Sequence, residues 1–142
     1  MIRLIFFAVV LLDQLSKSLI LRRMSFNQSI PVIPSVFHIT LVGNTGIAFG
    51  LFKGNSALLV WVGILTLFWV YGFIRRRRIK DPYLLVGLGL VSGGALGNLM
   101  DRIHYGGYVI DFLDFRIWPV FNIADICISI GTALFFVACF KK

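Results

Sequence analysis

Residues 83–102 read YLLVGLGLVSGGALGNLMDR. Positions 83–100 carry no charge, and the stretch closes on Asp101-Arg102. An uncharged apolar run of this length fits a helix crossing a bilayer, which takes roughly 17–25 residues. At helical periodicity Gly87, Gly94, Asn98, Asp101 and Arg102 fall within one stripe about 100° wide. Small residues on such a stripe let a second helix approach closely, and Asn98 can hydrogen-bond across the contact. Packing explains the glycines. It does not explain why Asn98, Asp101 and Arg102 gather at one end of the span.

Working outward, three further runs are long and apolar enough to span: 4–21, 56–74 and 121–140. Hydrophobic residues make up 58% of the 142-residue chain and charged residues only 14%. A soluble domain uses about 25% charged residues, so a soluble fold is excluded, and disorder is excluded by the apolar content. The first run is read as a retained helix and not as a cleaved leader. Asp13 and Lys17 interrupt it, and no small-x-small site precedes Arg22-Arg23. Cys127 and Cys139 lie twelve residues apart in one run, about 18 Å along a helix, which is too far for a mutual disulfide.

The net charge is +8, from 14 basic residues against six acids, all Asp. The charges flank the apolar runs, so they act as topology signals and not as a nucleic-acid surface. Segments 1–3, 75–82 and 141–142 hold Arg3, Arg75, Arg76, Arg77, Arg78, Lys80, Lys141 and Lys142. The much longer segments 22–55 and 101–120 hold only Arg22, Arg23, Lys53, Arg102 and Arg116. The dense side is cytoplasmic by the positive-inside rule, with both termini inside and both long loops outside. In those loops, 37–42 alternates apolar and polar residues as a strand does, and 108–112 is a second strand candidate. The expected architecture is one membrane domain over 1–142: an all-α four-helix transmembrane bundle with a small extracytoplasmic β element, or cradle, and a loop acting as a lid. No internal repeat appears, and the chain is read as a monomer.

An ionisable residue at the centre of a span costs about 2.5–3.5 kcal/mol. Asp13 and Lys17 are four apart, so they share a helix face and pair; the reading is a structural ion pair that locks helix packing. In the fourth span Asn122, Asp125, Ser129 and Thr132 share a face about 80° wide. Alone, Asp125 reads as a helix N-terminal cap or dipole partner. That changes beside Asp111, which sits in an apolar setting just before the same helix. Two poorly hydrated carboxylates at one depth raise one pKa and share a proton. An aspartic peptidase needs this arrangement, one Asp to activate water and the other to protonate or polarise the carbonyl. Asp81 and Asp114 read as solvated charges. A metal site from Asp101, His104 and Asp111 lacks supporting spacing. Ser92 is off register for a nucleophile elbow, and no span offers it a histidine base.

Five blocks carry a family resemblance: Asp13-Gln14-Leu15-Ser16-Lys17; residues 44–50 (NTGIAFG); residues 93–102 (GGALGNLMDR); Val109-Ile110-Asp111-Phe112; and Phe121-Asn122-Ile123-Ala124-Asp125. Their order and spacing resemble bacterial lipoprotein signal peptidase, signal peptidase II, over nearly the whole chain. The resemblance implies an aspartic peptidase of the inner membrane that removes signal peptides from diacylglyceryl-modified prolipoproteins, cutting N-terminal to the lipidated Cys. Its dyad falls on Asp111 and Asp125. Its supporting polar residues fall on Asp13, Lys17, Asn44, Asn98, Asp101, Arg102 and Asn122. It implies no metal or cofactor, and inhibition by cyclic peptide antibiotics. Membrane lipids are expected neighbours. Arg102 and Arg116 are candidates to hold the substrate backbone or a lipid phosphate. Gly46 lies in the 44–50 loop, expected to flank substrate, where glycine permits close backbone approach. Two other readings are weaker. Presenilin-type and prepilin-type peptidases carry GxGD, which is absent, and a transporter places its binding groups near the midplane.

Overall fold

The computed structural model describes residues 1–46, 54–77 and 79–141. Four helices, α1 (Ile2–Leu21), α2 (Ser56–Arg76), α3 (Pro82–His104) and α4 (Ile123–Phe140), are each long and apolar enough to cross a membrane. Three strands complete the fold: β1 (Ser29–Ile33), β2 (Phe37–Asn44) and β3 (Val109–Asp114). They form one antiparallel sheet in the order β1-β2-β3. β2 and β3 overlap the segments expected from alternation. β1 was not legible, because its SIPVI sequence contains Pro31 and its side chains are exposed throughout; as an edge strand it tolerates both.

The helices match the expected spans with informative differences at their ends. α3 continues to His104, which puts Asn98, Asp101 and Arg102 on the helix itself. It starts cleanly because Asp81 accepts from the Leu84 N–H and Pro82 occupies the first turn. Asp81 is thus a cap and not merely a solvated charge. α4 begins at Ile123, two residues after the expected boundary, because Asn122 and Asp125 close a reciprocal capping box there. Phe121 instead bridges to Leu113 at the end of β3.

α3 is the central helix and carries two glycine faces. The expected stripe lies against α4: a Cβ on Gly87 would meet the Gly131 carbonyl at 2.8 Å, and one on Gly94 would crowd Ala124. The second face was not anticipated. Gly89, Gly93 and Gly97, four apart, receive Ile5, Val9 and Asp13 of α1, also four apart. The pairs advance together along both chains, so α1 and α3 run parallel, whereas the Gly87–Gly131 and Gly94–Ala124 contacts make α4 antiparallel to α3. Seating α1 so closely brings Asp13 and Lys17 into the bundle, where both are buried. Cys127 is half-buried, Cys139 is exposed, and both are free thiols.

The Gly87–Gly131 crossing is a backbone contact from both sides, since a Cβ on Gly131 would meet the Gly87 carbonyl at 2.7 Å. Neither helix can accommodate a side chain there without separating. Gly131→Leu should lower folding stability in detergent by about 1–3 kcal/mol, the usual cost of overpacking. Thermal or denaturant unfolding of the purified variant checks this, and an unchanged midpoint would refute the contact.

Candidate active site

Lys17 is the centre of a buried polar cluster between α1, α3 and α4. Its ammonium lies 2.7 Å from Asp13 and 2.8 Å from Asp101, and donates to Asn98 Oδ1 at 3.1 Å. Gln14 Nε2 donates to both Asp13 and Asp101. The remaining carboxylate capacity reaches the backbone: Asp13 Oδ1 accepts from the Ala124 N–H (3.0 Å), and Asp101 Oδ2 from the Ile110 N–H (3.0 Å). Ala124 immediately precedes Asp125, and Ile110 immediately precedes Asp111. The cluster therefore anchors both acid-bearing segments, one residue ahead of each acid.

Three asparagines face those acids. Asn98 Nδ2 donates to Asp125 Oδ1 (2.8 Å). Asn122 Nδ2 donates to Asp111 Oδ1 (2.7 Å), and its backbone N–H lies 3.3 Å from Asp125 Oδ2. Asn44 Nδ2 donates to Asp111 Oδ2 (2.8 Å). The orientation of each amide is dictated by a group that can only donate. Lys17 takes Asn98 Oδ1, the Asp125 N–H takes Asn122 Oδ1, and the Gly46 N–H takes Asn44 Oδ1. All three NH2 groups must then point at carboxylates.

Asp111 and Asp125 line one cavity of about 620 Å³ together with Asn44, Gly46, Asn98 and Arg102. Apart from Thr66 and Ser129, its remaining wall is apolar and comes from α2, α3, α4, Val109 of β3 and residues 118–121. Arg102 donates to the Gly46 carbonyl (3.0 Å) and keeps a buried Nε without a partner among the described residues. Asp111, 1% exposed on β3, has its pKa raised from 3.8 to about 7. Burial is the main cause and the Asp125 carboxylate adds to it, against the opposing influence of Asn44, Lys17 and Asn122.

Several expected residues sit elsewhere. Asp101, expected as a supporting polar residue, acts from behind the site: its carboxylate is occupied by Lys17, Gln14 and Ile110 and does not line the cavity. Arg116 does not line it either; it holds a left-handed backbone (φ 65°) and pairs with Asp114 at 3.0 Å. Asp114 is not a solvated charge. It is buried and also accepts from Thr40 (2.7 Å). The Ile47–Gly50 part of the expected lid lies outside the described residues. Gln14 is a site-supporting residue that spacing alone did not single out; its position between Asp13 and Lys17 in the first block was the available signal. His104 packs edge-on against Tyr105. No group of three His, Cys, Asp or Glu is placed to hold a metal ion among the described residues.

Comparison with known proteins gives this geometry its setting. The chain is similar to a bacterial membrane enzyme solved by the in meso method at 2.3 Å resolution, with a TM-score of 0.91 at 34% identity, covering 99% of this chain and 87% of that one. Four bilayer-length helices with this fold define a membrane-embedded enzyme. The family model described as Signal peptidase (SPase) II matches residues 5–141. The lipoprotein signal peptidase of Halothermothrix orenii is 43% identical over 134 residues, covering 94% of this chain and 91% of that protein. That of Pelotomaculum thermopropionicum is 48% identical over 126 residues, covering 89% and 82%. The chain belongs to the signal peptidase II family, a family of peptidases.

Two outcomes follow from the site. Because the folded state holds the Asp111 proton more tightly than the unfolded chain, this group's contribution to stability is full below about pH 4 and is lost as pH rises to about 7. Wild type should lose stability relative to Asp111→Asn across that window, and a pH-independent difference between the two would contradict it. Asp13→Ala leaves the Ala124 N–H without its acceptor and Lys17 with one carboxylate instead of two. It should cost about 3–5 kcal/mol and be seen chiefly as lost folded yield on size-exclusion chromatography. A well-folded but inactive Asp13→Ala protein would move that residue into the chemistry.

Proposed function

We propose that this chain is an intramembrane aspartic endopeptidase that removes the signal peptide from diacylglyceryl-modified prolipoproteins, cutting on the N-terminal side of the lipidated Cys. The observation that carries the reading is the pair Asp111 and Asp125, facing one cavity and both held by Asn122. A pKa of about 7 for Asp111 supports a shared proton at neutral pH. The protonated acid of the pair gives its proton to the scissile carbonyl oxygen, while the other takes a proton from water. The water oxygen bonds to the carbonyl carbon, the C–N bond breaks, and the leaving amine takes the proton. Asn44, Asn98 and Asn122 keep both carboxyls oriented through the cycle, and Arg102, whose Nε has no partner among the described residues, is the group to receive a substrate carbonyl or lipid phosphate.

The distribution of Lys and Arg supports an orientation with both termini in the cytoplasm and the sheet on the extracytoplasmic face of the bacterial inner membrane. A substrate carrying two acyl chains has its scissile bond at headgroup level, and Asp125 at the first turn of α4 fits that depth. Membrane lipids surround the protein, and cyclic peptide antibiotics are proposed inhibitors. The chain acts as a monomer, without nucleic acid or metal.

With purified enzyme and a lipidated prolipoprotein, a gel shift reports cleavage. Asp111→Asn and Asp125→Asn should each reduce turnover by about 10²–10⁴-fold or more with insertion intact, and wild type should be indifferent to EDTA. Near wild-type turnover in either variant removes the dyad, and loss with EDTA revives a metal.

A further inference from the structure

The cavity does not end at the two acids. It runs between α2 and α4, walled by Leu59, Val62 and Thr66 on one side and Ile126 and Ile130 on the other. A shallow hollow on α2 alone, lined by Val62, Leu65, Thr66 and Trp69, adjoins it and shares two of these residues. Beyond it the helices meet through aromatic rings. Trp69 stands edge-on to Phe135 with centroids 5.6 Å apart, Phe73 lies 6.0 Å from the same ring, and Trp69 and Phe73 are 5.4 Å apart. Two α2 rings and one α4 ring thus close the groove at the end away from the acids.

Both walls measure the same length. From Leu59 to Trp69 on α2, and from Asp125 to Phe135 on α4, the chain advances ten residues, about 15 Å of helix. A substrate helix entering at the acids would meet the rings after about ten residues. The apolar core of a signal peptide is about 7–15 residues long, so the stop falls inside the range it would have to sort. Dispersion and ring geometry hold such a cluster together, with Trp69 half-exposed at its edge.

We propose that Trp69, Phe73 and Phe135 form the inner stop of the substrate groove and set the length of signal-peptide apolar core the enzyme accepts, a reading that rests on the peptidase function above. These are specificity residues, remote from the reacting atoms. The charged segment that precedes the core leaves sideways at the rings toward the cytoplasmic face, and a core longer than the groove must itself bend out there before its scissile bond can reach the acids.

The test uses purified full-length enzyme in lipid and lipidated prolipoproteins whose apolar cores contain about seven, ten, thirteen or sixteen residues. The readout is kcat/KM at each length, normalised within each enzyme so that a general loss of activity cancels. Wild type should favour about ten residues and fall on the order of tenfold at the longest core. Trp69→Ala combined with Phe135→Ala should move the optimum longer by about one helical turn. Phe135→Trp, which enlarges the stop, should sharpen the loss at thirteen and sixteen and decides the matter if the double variant does not fold. A flat profile in active wild type, or an optimum unmoved in the folded variants, overturns the stop. If wild type cleaves no member of the series, the peptidase reading itself fails.

Discussion

One buried ammonium group organises this protein. Lys17 is 2% exposed and lies between the carboxylates of Asp13 and Asp101. A lone charge at that depth would cost several kcal/mol, and two opposite charges with further hydrogen bonds offset it. Each carboxylate then extends the cluster to a backbone N–H one residue before a site acid. The consecutive elements β3 and α4, both far along the chain from α1, are thereby fixed against the same point. The local helix start agrees with this: the Asn122–Asp125 capping box that begins α4 also orients Asp125. Stability and site geometry draw on the same bonds.

The charge inventory around the acids explains why asparagine recurs. A cation against each carboxylate would hold both ionised, and no proton would be shared. Asn44, Asn98 and Asn122 supply hydrogen bonds without charge. The positive charge of Lys17 is met by Asp13 and Asp101, and Arg102, the cation that lines the same cavity, directs its guanidinium to the Gly46 carbonyl and not to a carboxylate. Burial and mutual repulsion can then raise the Asp111 pKa to about 7.

The Asp111 and Asp125 pair, the asparagines and the helices were largely readable in advance because each left a local mark. Uncharged runs gave spans, and polar residues on otherwise apolar helices declared that they needed partners. Other features left no such mark. The second glycine face, Gly89-Gly93-Gly97, was hidden among other small residues, and only the seating of α1 distinguishes it. Arg116 looked like a substrate contact by residue type, but it is taken up by Asp114. Asp114 looked solvated because its partner Thr40 is 74 residues away.

The sequence by itself determined that this chain belongs in a membrane, that it carries four runs long and apolar enough to cross one, and that two of its six Asp residues form a candidate pair. Those properties follow from apolar length, charge count and spacing, which are written along the chain. Only the tertiary structure decided which polar groups hold the acids and which face the cavity. A hydrogen bond is satisfied by whichever partner packing brings within about 3 Å, and helix packing here depends on where glycine permits close approach. The same contacts decided that α2 and α4 leave a groove between them and close it with three aromatic rings.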